Sequence, residues 1–436
     1  MVVSLEHTHA APVKAGELAV VIGAGRSGRA AVRLLLRDGA RVRLLEKNPA
    51  NIDAAFLTEI TRAGVEVVTG EHGPEHFADA ACIIPSPGMP VASLLPLLPA
   101  SGGPEVMAEM EFAWRHLDGE PVLAVTGTSG KTTTVSLAAA MLEAQGLHVF
   151  LGGNIGTPLS EYVLAGRRAD VLVLEVSSFQ LQTCSTFRPH VGVFLNISPN
   201  HLDYHKDMDE YAAAKFRLFR CQHADDIAVL PPSLREMAEA YGVPSEKIWL
   251  DEQSRRFPQS RLFGGHNRIN MEAAWQACRH FGVEEASAAR AVAGFNPLPN
   301  RLELVAEKDG VLYVNDSKST TVASLEVALK AFEQPVLLLC GGKFKGGDLS
   351  ALRGLVRKHV KAVALFGAGR EHFEPAWQGV APMTWDATLE PAVRRLRALA
   401  APGDVVLLSP ATASFDLYKN YVARGDDFKR IVGLLQ

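Results

Sequence analysis

The stretch that most constrains this chain is residues 121–135, Pro-Val-Leu-Ala-Val-Thr-Gly-Thr-Ser-Gly-Lys-Thr-Thr-Thr-Val. The apolar residues 122–125 read as a buried strand, and the alanine-rich residues 136–145 read as a helix. Between them lies Thr126-Gly127-Thr128-Ser129-Gly130-Lys131-Thr132. A turn from strand into helix leaves backbone N–H groups unpaired, and the helix dipole favours an anion beside them. Gly127 and Gly130 permit the tight path. Lys131 adds a mobile cation and Thr132 a hydroxyl suited to Mg²⁺. The stretch therefore reads as a phosphate cradle. The general spacing of such loops wants a glycine where Val125 stands, so this one is shortened.

A chain of 436 residues is expected to hold two to four domains. Hydrophobic content of 47% with 21% charge is that of a soluble globular protein with ample cores. Net charge of −4 and no basic tail argue against a nucleic-acid partner. Five scattered cysteines (Cys82, Cys184, Cys221, Cys278, Cys340), none in a Cys-x-x-Cys pair, fit a reducing cytoplasm rather than a disulfide framework or a zinc site. Residues 1–17 lack the apolar core of a signal peptide, and no run is long enough to span a bilayer. A cytoplasmic protein with no membrane span is expected.

Residues 18–23 read as a parallel strand entering Gly23-Ala24-Gly25-Arg26-Ser27-Gly28, then an amphipathic helix over 29–37. A second strand, 42–45, ends at Glu46. This βαβ unit with Gly-x-Gly-x-x-Gly offers a diphosphate site with a ribose acceptor, for NAD, FAD or a nucleotide-sugar. Strands at 65–68 and 81–84 follow, the latter closing on Pro85-Ser86-Pro87-Gly88 at the ligand edge. Residues 105–116 read as one helix. After a strand at 148–151 comes the loop Gly152-Gly153-Asn154-Ile155-Gly156. Strand 171–174 ends in Glu175, a carboxylate placed for Mg²⁺ or, more plainly, a solvent-facing acid. Strand 191–195 runs into a polar loop, 196–205, that carries His201. Lys215 closes a helix at 211–215 and, on its residues alone, reads as a snorkelling surface lysine. Further strands are 227–230 and 247–250. Residues 263–270 open a helix in which Asn267 and Asn270 contact a purine or merely cap. A linker at 295–300 precedes a third α/β set with strands at 311–314, 336–339, 362–366 and 405–408. Its ligand edge carries Asp316 to Thr321, Gly341 to Lys345 and Ser409 to Phe415, rich in hydroxyls and lysine, which suits a small anionic substrate.

TGTSGKTTT, Glu175, residues 196–203, GGHNRIN, and LPNR followed by NDSKSTT occur in the order found in the Mur ligase family, the ATP-dependent amino-acid-adding enzymes of peptidoglycan precursor synthesis. The chain resembles that family over almost its whole length. GAGRSG with PSPG, GGNIGTPL, EVSSFQL and LLSPATASFDLYKNYVARGDDF make it most similar to the members that add D-glutamate. The resemblance implies three α/β domains. A Rossmann-like domain over 1–109 binds the UDP substrate, a central P-loop domain over 110–297 binds ATP, and a Rossmann-like domain over 298–436 brings the amino acid.

It further implies that UDP-MurNAc-L-Ala, ATP and D-glutamate are joined through an acyl phosphate, in a monomer whose domains close across the linker at Leu298. Gly25, Arg26, Ser27, Glu46, Lys47, Ser86, Gly88 and Asn154 match UDP-substrate positions, so the first glycine turn would hold UDP and not NAD. Gly127, Thr128, Ser129, Gly130, Lys131, Thr132, Thr133, Asn267, Asn270, Arg301 and Asp316 match ATP positions. Lys318, Thr320, Lys345, Ser414, Phe415 and Tyr421 match the amino-acid side. The resemblance also turns Lys215 from a surface lysine into one carbamylated by CO₂. With His201 it would hold one of two Mg²⁺ ions, with Thr132 and Glu175 at the other; Lys131, His201 and Lys215 would be catalytic. Asn200 stands where many members have an acid, and Asn300 where many have histidine; Phe415 and Tyr421 are conservative variants. The alternatives are another Mur-type ligase, a folylpolyglutamate synthase, an NAD-dependent oxidoreductase and a P-loop switch ATPase. The Gly23–Gly28 turn argues against the folate enzyme, and the LSPATASF tail against the other Mur enzymes.

Overall fold

The computed structural model describes residues 13–99, 101–166, 168–202, 204–296 and 299–435. Most of the N-terminal stretch read as lacking a leader, Asp203 of the His201 loop, and the linker residues Pro297 and Leu298 lie outside these residues.

Three sheets carry the fold. The first comprises β1 (Leu18–Ile22), β2 (Arg41–Glu46), β3 (Glu66–Thr69), β4 (Ala80–Pro85) and β5 (Glu105–Val106), all parallel, in the order β3-β2-β1-β4-β5. The second comprises β6 (Val122–Thr126), β7 (Val149–Gly153), β8 (Val171–Glu175), β9 (Val191–Phe194), β10 (Ile227–Leu230) and β11 (Glu246–Trp249). It too is parallel, in the order β11-β10-β9-β6-β8-β7. The third comprises β12 (Glu303–Lys308), β13 (Val311–Asn315), β14 (Val336–Cys340), β15 (Val360–Phe366), β16 (Met383–Asp386) and β17 (Val405–Leu408). Its order is β12-β13-β17-β14-β15-β16, and β12 alone runs antiparallel.

The central strands β1, β6, β8, β14 and β17 are buried at every position, as parallel strands covered on both faces must be. The helix Arg26–Arg37 turns Ala30, Ala31, Val32, Leu34 and Leu35 onto the first sheet. The chain divides into two compact units: Met1–Ser254 with Asn270–Ala291, and Arg255–Ile269 with Val292–Gln436. The first unit holds the first two sheets, which share one continuous core. The second holds the third sheet, with a core on each face.

One expected helix differs. Residues 105–116 split into β5, which pairs with β4, and a shorter helix, Glu109–Trp114. That helix is buried along its whole length, with Trp114 edge-on to Phe187 at 5.3 Å. Its Glu111 is fully buried and accepts from the backbone N–H groups of Thr186 and Phe187, both at 3.0 Å. Gly152 and Gly153 lie inside β7 rather than in the loop after it.

Candidate active site

In the first sheet β1 runs into Gly23, whose φ of 94° is open to glycine at least strain. A Cβ on Gly28 would lie 2.0 Å from the Gly23 carbonyl oxygen, so the helix approaches its turn only because that position is glycine. An open cleft of about 940 Å³ lies above, lined by Gly25, Arg26, Glu46, Lys47, Ser86 and Gly88 among others. Six of the eight expected UDP-substrate residues thus share one cleft; Ser27 and Asn154 do not line it. Glu46 is buried and spends its oxygens inside the protein, accepting from Ala24 N at 2.8 Å and from Asn48 N and Asn51 Nδ2, both at 3.0 Å. Burial opposes its ionisation, but these donors outweigh it and hold the carboxyl below the usual range. It braces the turn. Arg29, which sequence reasoning passed over, lines the same cleft and donates from Nε to Ala24 O at 2.7 Å.

In the second sheet the phosphate loop is held from β9. The Asn196 side chain accepts from Ser129 N at 2.9 Å and donates to Ser129 O at 3.1 Å, while Asn196 O accepts from Thr128 N at 3.0 Å. Asn196 thus sets the loop's shape, a role that its place in a polar loop only hinted at. Gly130 has φ of 86°, and a Cβ there would lie 2.4 Å from Asn270 Oδ1, which places Asn270 beside the loop. Asn267 falls in the other unit and donates from Nδ2 to Phe263 O at 2.8 Å.

The loop's cations and its carboxylate converge. Lys131 Nζ donates to Gly127 O at 2.7 Å and Thr128 O at 3.1 Å, and burial lowers its pKa against the pull of Glu175. Glu175 is itself buried rather than solvent-facing. Its Oε2 accepts from Thr132 Oγ1 and its Oε1 from Asn154 Nδ2, both at 2.8 Å, which places Asn154 here rather than at the first cleft. His201 has φ of 54° and sets its ring 4.8 Å from Phe179 and 6.3 Å from Tyr211.

Lys215 corrects the surface reading. It is 1% exposed, and its Nζ donates to Gly127 O at 3.0 Å and lies 4.7 Å over the Tyr211 ring. Burial first, and Lys131 second, push its ammonium down to about 7, against Glu175. A short helix of mixed residues gave no periodicity that could reveal which face was inside.

Whether Mg²⁺ fits can be tested on the donors. Glu175 takes its hydrogen bonds from two neutral groups, Thr132 and Asn154, while the ammonium groups of Lys131 and Lys215 act on it through charge. Among the described residues no cluster of three or more His, Cys, Asp or Glu forms a metal cage. A hard cation that keeps water and takes phosphate oxygens as ligands matches that sparse donor set.

In the third sheet Asp316 is buried, accepting from Ser409 Oγ at 2.9 Å and Leu302 N at 3.2 Å, and burial pushes its carboxyl up to about 7. Lys318 Nζ lies 5.6 Å over the Tyr421 ring and Lys345 Nζ 5.9 Å over Phe415. Ser414 is buried, while Phe415 is 65% exposed. Asn300 is buried, accepting from Asn315 Nδ2 at 3.0 Å, and a Cβ on Gly425 would lie 1.7 Å from its Oδ1. It packs the domain interior.

Residues 17–99 match the family described as Mur ligase MurD-like, N-terminal domain, 125–278 match Mur ligase middle domain, and 300–412 match Mur ligase, glutamate ligase domain. A UDP-N-acetylmuramoylalanine–D-glutamate ligase of Desulfovibrio desulfuricans is 63% identical over 99% of this chain and 100% of that protein. One of the same name from Salinibacter ruber is 42% identical over 96% of this chain and 98% of that protein. In fold the chain is similar to MurF ligase from Thermotoga maritima in complex with ADP, with a TM-score of 0.55 at 18% identity over 97% of this chain and 94% of that one.

Proposed function

Because the chain belongs to the Mur ligase family, we propose that it is the ATP-dependent ligase that joins D-glutamate to UDP-N-acetylmuramoyl-L-alanine, releasing ADP and phosphate. The observation that carries this reading is the end-to-end 63% identity with a ligase of that name. The reaction belongs to peptidoglycan precursor synthesis, and we place it in the cytoplasm of the cell, in a monomer. Residues 1–109 serve the UDP substrate, 110–297 serve ATP and 298–436 serve the amino acid.

The substrate carboxylate attacks the γ-phosphate of ATP, giving an acyl phosphate and ADP. The amine of D-glutamate then attacks the acyl carbon, and phosphate leaves the tetrahedral intermediate. Little covalent work falls to the protein; it positions and neutralises. Backbone N–H groups of Gly127 to Thr132 cradle the phosphates, Thr133 continues that cradle, and Lys131 leaves the loop carbonyls for the γ-phosphate. Asn267, Asn270, Arg301 and Asp316 hold the nucleotide. Thr132 with Glu175, and His201 with carbamylated Lys215, are the holders of two Mg²⁺ ions, which when bound neutralise phosphoryl charge. The Lys215 amine forms its carbamate by attack on CO₂ with loss of a proton. Burial among Thr126, Gly127 and Tyr211 favours the uncharged amine that such attack needs. Gly25, Arg26, Ser27, Lys47, Ser86 and Gly88 hold UDP, with Glu46 as brace and Asn154 nearer the metal end. Lys318, Thr320, Lys345, Ser414, Phe415 and Tyr421 hold D-glutamate.

The test is ADP release with each substrate withheld in turn. Sustained ADP release that needs no UDP-sugar peptide would overturn the reading in favour of a switch ATPase.

A further inference from the structure

Arg424 is the one fully buried arginine among the described residues, and it sits under the C-terminal edge of the third sheet. It lies one turn into the helix Tyr421–Leu434. Its Nε donates to Ser317 Oγ at 3.0 Å, and its Nη2 donates to Ser317 O at 2.8 Å and Thr412 O at 3.1 Å. Ser317 Oγ passes the bond on, donating to Tyr421 O at 2.8 Å. Its Nη1 has no partner, and a Cβ on Gly342 would lie 3.2 Å from it. Burial lowers the pKa of this guanidinium, and the carboxylate of Asp416, followed by that of Asp316, opposes that shift.

Each segment in this fork carries residues assigned above to the amino acid. Ser317 precedes Lys318 and Thr320; Thr412 precedes Ser414 and Phe415; Tyr421 opens the helix. The loop with Lys345 joins through Lys343 and Ala413, whose backbones exchange hydrogen bonds of 2.9 and 3.0 Å. A planar fork with several fixed donors can tie two loop carbonyls and a hydroxyl at once, and a lysine cannot.

We propose that Arg424 is the positioning residue of the amino-acid half of the site. It sets the spacing of the Lys318, Ser414 and Tyr421 segments. This rests on the reading of the edge as the D-glutamate site. The test uses full-length Arg424→Lys, Arg424→Met and Ser317→Ala. Steady-state kinetics for all three substrates are paired with acyl-phosphate formation without amino acid, trapped by hydroxylamine. KM for D-glutamate is expected to rise roughly tenfold or more in the Arg424 variants, the scale of hydrogen bonds to a charged group, and less in Ser317→Ala. KM for ATP and the UDP substrate, and acyl-phosphate formation, should hold. An unmoved KM for D-glutamate overturns the proposal. So does a parallel fall in acyl-phosphate formation, which marks a merely structural role. Should the Arg424 variants not fold, Ser317→Ala decides by the same readouts. A wild-type protein that ignores D-glutamate is a different failure, that of the functional reading itself.

Discussion

Two lysine side chains end on one carbonyl oxygen: Lys131 Nζ and Lys215 Nζ lie 2.7 and 3.0 Å from Gly127 O. Two ammonium ions there repel, and burial removes the water that would screen them. Release of Lys131 to a phosphate, and conversion of Lys215 to an anion, both relieve that crowding. Lys131→Ala should abolish ADP release, a loss on the order of a hundredfold or more for a group that meets phosphoryl charge; near-normal release would refute its assignment. Lys215→Ala and Lys215→Arg should both be inactive with unchanged circular dichroism, since neither can carry a carbamate. Full activity in either would end that idea. Asp316 makes a pH prediction. Its carboxyl is raised from 3.8 to about 7, so the folded protein holds a proton there that the unfolded chain releases. Its stabilisation is complete below about pH 4 and is lost as pH rises through 7. Denaturant titrations from pH 5 to 8 should show wild-type stability falling relative to Asp316→Asn, by an amount on the order of a few kcal/mol. A constant difference would contradict the assignment.

At the scale of elements, turns at the ends of buried parallel strands do most of the work. The Gly23–Gly28 turn depends on contact between helix and turn that only glycine allows. Gly28→Ala should push the helix Arg26–Arg37 off its turn and raise KM for the UDP substrate by roughly tenfold or more, while KM for ATP stays put. Equal shifts in both would mean that the turn has no separate role. These turns were legible in sequence because strand, glycine spacing and helix are contiguous. The edge strands β12 and β16 were not: Glu303–Lys308 is mostly half-buried and Met383–Asp386 short, and neither has the apolar run of a central strand. Residues 105–116 read as one helix in sequence because the strand partners of Glu105 and Val106, Cys82 and Ile83 in β4, lie far upstream, outside any local window.

Over the whole molecule, motifs made the α/β class legible, and they assigned a candidate site to the ligand edges, where strand ends collect that sequence shows one at a time. What escaped was burial. Lys215 looks like a surface cation in sequence, and only tertiary packing encloses it, as it does Arg424. Asn154, matched by motif to the UDP substrate, hydrogen-bonds Glu175 because β7 and β8 are neighbours in the sheet, a contact that motif alone does not show. The central claim is that one chain couples ATP cleavage to a specific carboxylate and a specific amine. The most direct measurement is ADP release with UDP-MurNAc-L-Ala against a panel of D- and L-amino acids. The account predicts release with D-glutamate and little with L-glutamate, L-alanine or a diamino acid. Release that is greater with any of these than with D-glutamate would contradict it.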